Sequence, residues 1–133
     1  MENQLRRLVY ISTSVGLAPA EVDAILASSV ANNPSRGVTG LLLYNGRNFL
    51  QMIEGDKAAL LSLMAIVTRD PRHSGIVSLQ NSDIAARSCP DWQMTRIGLA
   101  DDLHERERAI ASQLPVALDN ETRGLIENFA ILN

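Results

Sequence analysis

The sequence predicts an α+β fold of the ferredoxin-like kind: a β-α-β-β-α-β-β order that forms a mixed sheet with two helices on one face, plus short C-terminal helices. Three observations predict it. Apolar runs rich in β-branched residues alternate with stretches of helical i, i+3, i+4 spacing. Asn45-Gly46 lies between two apolar runs, which is typical of a β-hairpin. Asn33-Pro34 and Asp70-Pro71 end the helical stretches, because the residue before proline is pushed out of helical geometry.

The first strand and the first helix come before Asn33. Segment Leu5–Ser14 is apolar on both faces, which predicts a central strand. Pro19 suits a first helical turn, since the N–H that proline lacks would have no helical partner there. The helix that follows has one face formed by Val22, Ile25, Leu26, Ser29 and Val30.

The hairpin can be predicted down to its register. Asn-Gly favours a two-residue type I′ turn, which would pair strand Val38–Tyr44 with strand Phe49–Ile53 so that Gly40 faces Gln51. Opposite residues share a face of the sheet. The amide of Gln51 would therefore lie across from a residue without a side chain, with open space beside it.

The second helix and the last strands follow the hairpin. Asp56 is a good N-cap for a helix whose apolar side is formed by Leu60, Leu63, Met64 and Val67. Strands are predicted near Gly75–Ser82 and Trp92–Gly98, with Cys89-Pro90-Asp91 as the turn between them.

The C-terminal part is predicted to be helical. Residues 101–114 and 120–132 form two short helices separated by Pro115, and their apolar positions suit packing onto the free face of the sheet. We therefore expect two units, a ligand-binding domain at 1–98 and a helical extension at 99–133.

Composition and charge exclude several classes of protein. The 133 residues are 46% hydrophobic and 20% charged, as expected of one globular domain. The apolar runs are far too short to cross a bilayer, and the N-terminus has no secretory signal. The single cysteine, Cys89, excludes an internal disulfide and fits a reducing cytoplasm. The formal net charge is −3 without a basic stripe, so direct nucleic-acid binding is not expected.

The motifs of common enzymes are missing from the sequence. It contains no glycine-rich phosphate loop, no nucleophile elbow and no Cys/His set with metal-ligand spacing. His73 and His104 are far apart and have no clear third partner. A small hydrolase on this fold, such as an acylphosphatase-like enzyme, would need an arginine in the loop after the first strand, and Thr13–Ala18 contains none.

A few polar residues interrupt otherwise apolar segments. Gln51 lies in a strand that should be buried, where an amide without hydrogen-bond partners costs about 1–3 kcal/mol of stability. Taken singly, Gln51 is a core amide bonded to backbone, Tyr10 a core tyrosine, and Asn32-Asn33 a helix stop. If the face of Tyr10 meets the two helices, these groups could instead converge in an apolar slot. Such a slot suits a planar heterocyclic cofactor.

Six segments, in order and with compatible spacing, match one family. They are Leu8-Val9-Tyr10-Ile11-Ser12, Ser28-Ser29 through Asn32-Asn33-Pro34, Gly37-Val38-Thr39-Gly40-Leu41-Leu42, Phe49-Leu50-Gln51-Met52-Ile53-Glu54-Gly55, Asp70-Pro71-Arg72-His73-Ser74 and Trp92-Gln93-Met94. Over roughly residues 5–98 the chain resembles the BLUF domains, which are blue-light sensors that use FAD.

The resemblance implies a role for each matching residue. Tyr10 would be the electron donor, Gln51 the switching amide, and Trp92 and Met94 the last-strand pair of the photoactive set. FAD would be bound non-covalently by residues of the first helix, the hairpin and the loop after the second helix: Ile25, Ser29, Asn32, Asn33, Gln51, Asp70, Arg72 and His73.

The function implied is that of a photoreceptor without catalytic output of its own. Light-driven transfer of an electron and a proton from Tyr10 would switch the hydrogen bonds of Gln51. That switch would alter the contact with a downstream protein, or with another copy of the chain in a homo-oligomer. The alternative is a ferredoxin-like regulatory domain that binds another small molecule and has no photochemistry.

Overall fold

The structure, a computed structural model, describes residues 5–13, 18, 20–25, 27, 37–45, 47–69, 74–88, 95–96 and 103–132. Its first helix, α1, is described at residues 20–25 and 27. The other elements are β1 Leu5–Thr13, β2 Thr39–Tyr44, β3 Asn48–Asp56, α2 Lys57–Arg69, β4 Ser74–Asp83, β5 Thr95–Arg96, α3 Leu103–Gln113 and α4 Asn120–Leu132. None of the helices in these ranges is long and apolar enough to pass through a lipid bilayer.

The five strands form one mixed sheet in the order β4-β1-β3-β2-β5. Strand β1 pairs antiparallel with β3 and β4, β2 pairs antiparallel with β3, and β5 lies parallel to β2. Strand β3 lies between β1 and β2, and β1 lies between β3 and β4, so two β-α-β units interleave. The predicted ferredoxin-like α+β fold is confirmed.

The N-termini of α1 and α2 lie where the sequence predicts them. Glu21 Oε1 accepts a hydrogen bond from the N–H of Ala18, which is the return half of a capping box. Asp56 is the last residue of β3 and directly precedes the first helical residue of α2, in the position of an N-cap. The turns proposed at Asn33-Pro34, Asp70-Pro71 and Cys89-Pro90-Asp91 lie outside the described residues.

Both faces of the sheet are covered. On one face, side chains of β1, β2 and β3 pack against α1 and α2 in a core of Leu8, Tyr10, Val22, Ile25, Val38, Leu42, Phe49, Ile53, Leu60, Leu63 and Val67. On the other, Val9, Leu41, Leu43, Leu50 and Met52 pack against residues of α3, α4 and their connection, Ile110, Leu114, Leu118, Ile126, Phe129 and Ala130. Because strand side chains alternate between faces, one strand such as β3 contributes to both cores. The C-terminal helices thus pack onto the free face, as their apolar positions predict.

The predicted register of the hairpin is wrong by two residues. Tyr44 faces Phe49 and Leu42 faces Gln51, whereas Gly40 faces Ile53. The cause is the side chain of Asn45, whose Oδ1 accepts hydrogen bonds from the N–H groups of Arg47 and Asn48 at 3.0 and 2.8 Å. The Asn45 N–H also donates to the carbonyl oxygen of Asn48 at 3.2 Å, so the chain reverses between Asn45 and Asn48, one residue later than predicted. A shift of two residues preserves the face, so Gln51 stays on the side of α1 and α2.

Gly40 is required by a close approach of two strands and not by an open space beside Gln51. A Cβ atom at this position would lie 2.0 Å from the carbonyl oxygen of Met52. The contact is with backbone, so no side-chain rotation can relieve it. Gly40 is buried, and β2 pairs with β3 along the whole length of β2.

We expect Gly40→Ala to lower the free energy of unfolding by about 3 kcal/mol, because the methyl group would force β2 and β3 apart. Chemical denaturation followed by circular dichroism measures this. The matched control is Gly124→Ala in α4, where nothing lies within 4 Å of the added carbon. That variant should gain about 0.5–1 kcal/mol of helix stability. Equal stability changes in the two variants would contradict the close approach.

Candidate site on the α1 and α2 face of the sheet

Tyr10 and Gln51 are direct neighbours across the two central strands. Their Cα atoms oppose each other in the antiparallel β1–β3 ladder. The Tyr10 hydroxyl donates a hydrogen bond of 2.7 Å to Gln51 Oε1. Only 1% of Tyr10 and 4% of Gln51 is exposed. The predicted meeting of these two residues on one face is therefore observed.

The surroundings of this pair are apolar. Ile25 projects from α1 into the same core, and Phe49 and Ile53 flank Gln51 on the same face of β3. Leu42 opposes Gln51 from β2. Of the cofactor-binding residues predicted on α1, Ile25 is 4% exposed and belongs to the core that contains Tyr10.

Burial controls the protonation of Tyr10. Removal of the phenol from water raises its pKa well above the ordinary value, because the phenolate would lose its hydration. Tyr10 is therefore a neutral hydrogen-bond donor throughout the physiological pH range. Its proton points at an amide oxygen, which is a weak base.

The amide nitrogen of Gln51 has no hydrogen-bond acceptor among the described residues. In the described part of the chain the side chain makes one hydrogen bond, through Oε1, and Nε2 donates to no residue there. A buried amide carries two N–H donors, and a donor left without an acceptor costs about 1–3 kcal/mol. The site therefore fits a planar ligand that offers an acceptor oxygen or nitrogen at this point.

The remaining predicted site residues lie outside the described part of the chain: Ser29, Asn32, Asn33, Asp70, Arg72, His73, Trp92 and Met94. Their roles stay predictions. The described residues bring no three His, Cys, Asp or Glu side chains into a cluster that could bind a metal ion.

A second polar centre, on the opposite face, was missed at the level of sequence. Arg7 Nε donates to Glu54 Oε2 at 2.8 Å, and the two side chains are 6% and 0% exposed. Arg7 and Glu54 oppose each other in the same β1–β3 ladder. The available signal was a charged residue in phase with the buried apolar positions of each strand, Arg7 with Val9 in β1 and Glu54 with Met52 in β3, because a charge is buried only when it is paired.

The Glu54 carboxylate also holds the segment that follows β4. Its Oε1 accepts the backbone N–H of Ser88 and its Oε2 accepts the Ser88 hydroxyl, both at 2.8 Å. Arg87 donates to the carbonyl oxygens of Glu54 and Gly37 at 2.9 and 2.6 Å and to Thr39 Oγ1 at 3.0 Å. Residues 87–88 are thus fixed to β3 and to the start of β2.

Arg7 also reaches the N-terminus of α4. Its Nη1 donates to Asp119 Oδ1 and, at 3.1 Å, to Thr122 Oγ1. Asp119 caps the helix, since its Oδ2 accepts the N–H of Thr122 at 3.0 Å. Burial alone would raise the pKa of Asp119, but hydrogen bonds from Thr122 and the charge of Arg7 lower it below its ordinary value.

Comparison with known proteins identifies the family. The family profile described as BLUF, sensors of blue-light using FAD, matches residues 5–95. The photoactivated adenylate cyclase subunit alpha of Euglena gracilis is 37% identical over 98 residues, which is 70% of this chain and 9% of that protein. The chain spans only about a tenth of the length of the first such relatives.

Solved structures agree over nearly the whole chain. The dark-state structure of BlrB, a BLUF protein, has a TM-score of 0.75 and 32% identity, and the match covers 98% of this chain and 97% of that one. BlrP1 from Klebsiella pneumoniae, solved as a manganese/cy-diGMP complex, has a TM-score of 0.82 and 28% identity, with 95% of this chain and 32% of that one covered. The chain belongs to the BLUF family, the blue-light sensors that use FAD.

Proposed function

We propose that the Tyr10–Gln51 pair is the photoactive switch of this blue-light sensor, with FAD bound beside it on the α1 and α2 face. The observation that carries the proposal is the buried 2.7 Å hydrogen bond from the Tyr10 hydroxyl to Gln51 Oε1. Both groups are shielded from water, so a change in the hydrogen bonding of one residue changes the hydrogen bonding of the other.

The residues present fit a flavin. The apolar face supplies a surface for a flat ring system, and the N–H groups of Gln51, which no described residue accepts, supply donors for its carbonyl oxygens. Ile25 would contact the ring from α1. We propose the same binding role for Ser29, Asn32, Asn33, Asp70, Arg72 and His73. The bound flavin would supply the absorption of blue light and an excited state that accepts an electron.

Tyr10 is suited to give that electron only together with a proton. An oxidised phenol is a strong acid, so the proton must leave at the same time, and Gln51 Oε1 is the group placed to receive it. Because the pKa of Tyr10 is raised by burial, the residue does not lose its proton beforehand. When electron and proton return, the pair has undergone no net oxidation.

Gln51 is suited to record the event. Its amide carries an acceptor on one side and two donors on the other, on a group that rotates about a single bond. Rotation or a change of amide tautomer would exchange the atom that faces Tyr10 and offer a new donor to the ligand. A new donor to the flavin would stabilise the excited state more than the ground state, and the absorption would move to longer wavelength.

The output is a changed contact with another protein or another copy of this chain. The Euglena gracilis relative is named as a photoactivated adenylate cyclase subunit, and the matched segment is 9% of its length. By analogy we propose that this chain acts through an effector partner and has no catalytic step of its own. Trp92 and Met94, which precede β5 in the sequence, are the proposed last-strand members of the switch.

The test is an absorption spectrum of the protein reconstituted with FAD. We expect a yellow protein whose flavin bands move to longer wavelength under blue light and return in the dark. A colourless protein, or a flavin spectrum unchanged by light, would instead support a ferredoxin-like domain that binds another small molecule without photochemistry. Bleaching without a shift would indicate bound flavin that lacks the switch.

A further inference from the structure

Two cross-strand pairs lie close together on the same two strands and point to opposite faces. Tyr10 opposes Gln51, and three residues along each strand Arg7 opposes Glu54. The first pair lies in the core under α1 and α2, whereas Arg7 bonds to the start of α4. The β1–β3 ladder thus carries both the proposed switch and the residue, Arg7, that holds the start of α4 to the sheet.

Arg7 and Glu54 are held together by a buried ion pair, so a displacement of one residue displaces the other. Both side chains are buried, and separating them would take the positive charge of Arg7 away from a carboxylate in the interior. Each charge has further bonds: Glu54 to Ser88, and Arg7 to Asp119 and Thr122. A displacement of β1 relative to β3 is therefore passed to these groups or breaks a charged hydrogen bond.

The most exposed bond in this chain of contacts is the one to α4. Asp119 is 47% exposed at its side chain, whereas Glu54 is fully buried. Thr122 Oγ1 also contacts Gln80 of β4 at 2.8 Å, so the start of α4 is held to both β1 and β4. A small displacement of the β1–β3 ladder would therefore break the Arg7–Asp119 bond first, because the Asp119 side chain is exposed and can turn toward water.

We propose that the Arg7–Glu54 pair couples the Tyr10–Gln51 switch to the N-terminus of α4, and so controls how firmly α3 and α4 cover the far face of the sheet. The proposal rests on the function proposed above. In the dark, Arg7 holds Asp119 and Thr122 and the helix is fastened. In the light, the altered Tyr10–Gln51 pair displaces β1 against β3, and the contact of Arg7 with Asp119 weakens.

The part of the chain that would loosen is the pair of helices α3 and α4, which cover apolar side chains of the sheet. Helices α3 and α4 shield Val9, Leu41, Leu43, Leu50 and Met52, and their own apolar side chains Ile126 and Phe129 are buried against them. Loosening of α4 would present apolar surface, which is what a partner protein recognises. The coupling therefore gives the light reaction a physical route to a changed interaction surface.

The test is hydrogen exchange of the α4 amides in the FAD-bound full chain, measured by mass spectrometry in the dark and under blue light at neutral pH. In the unchanged protein we expect exchange in α4 to be about five-fold faster in the light, the factor that corresponds to the loss of one exposed ion pair. The absorption shift is recorded on the same samples.

Asp119→Asn separates the coupling from the capping. Asparagine caps a helix as well as aspartate does, but it has no charge for Arg7 to hold. We expect this variant to exchange about five-fold faster already in the dark and to lose the light-dependent difference, while its absorption shift is unchanged. Glu121→Gln is the matched control: it removes a charge from the same helical turn and has no contact with Arg7 among the described residues.

Each alternative outcome decides against the coupling. If α4 exchanges equally in light and dark while the absorption shifts, the coupling is overturned and the photosensor function stands. If Asp119→Asn keeps a light difference of full size, or Glu121→Gln loses it as well, Arg7 is not the coupling residue. If no absorption shift occurs, the proposed switch fails and the coupling fails with it.

Discussion

Tyr10→Phe is expected to abolish the light-induced absorption shift while FAD remains bound. The substitution keeps the ring that fills the core and removes only the hydroxyl that donates to Gln51. Phenylalanine has no proton to release, so its oxidation is out of reach and the switch has no first step. The stability loss should be about 1–3 kcal/mol, the cost of an amide oxygen left without its donor.

The control for this variant is Tyr44→Phe. Tyr44 is the other tyrosine of the chain, and its ring stacks on Phe49 with centroids 4.4 Å apart, a contact that phenylalanine would keep. We expect its shift to have normal amplitude. A full shift and dark return in Tyr10→Phe would remove Tyr10 from the mechanism. Loss of bound flavin would be seen separately, as loss of colour.

Arg7→Met is expected to destabilise the chain by about 3–5 kcal/mol, because it removes the positive charge that is paired with the buried Glu54 carboxylate. Methionine keeps much of the apolar stem, so the loss reports the charge more than the packing. Equilibrium denaturation in urea, with stability extrapolated to zero denaturant, measures the difference.

Arg6 offers a control one residue away. Its pair with Asp83 is exposed, with Asp83 72% accessible, so Arg6→Met should cost only about 0–1 kcal/mol. Adding Glu54→Gln to Arg7→Met should recover much of the loss, since no charge then remains buried in that pair. Equal costs for Arg6→Met and Arg7→Met, or no recovery in the double variant, would contradict a tightly coupled buried pair.

The fold could be predicted because its signals are local. Helix stops, alternating apolar positions and an N-cap at Asp56 each involve a few neighbouring residues. The hairpin register could not be predicted, because the position of the turn depended on Asn45, whose side chain accepts hydrogen bonds from the N–H groups of Arg47 and Asn48. Asn-Gly alone predicts the commoner turn.

The two polar centres differ in how visible they are in one sequence. Tyr10 and Gln51 each stood out, but their contact depends on the register between β1 and β3, which no local pattern sets. Family resemblance supplied what periodicity could not. No local sequence pattern predicts the contact that holds α4 to the sheet, since the bond from Arg7 to Asp119 spans 112 positions. Such a contact forms only once the sheet has brought distant segments together.

The proposed switch depends on the hydrogen bond between Tyr10 and Gln51, and the light-minus-dark absorption spectrum of Gln51→Leu bound to FAD tests it most directly. Leucine keeps the apolar volume and has neither the acceptor for Tyr10 nor a donor for the flavin. The predicted result is a yellow protein with no reversible shift to longer wavelength, beside an unchanged protein that shifts and recovers. A Gln51→Leu protein that binds FAD and still shifts normally would contradict the switch.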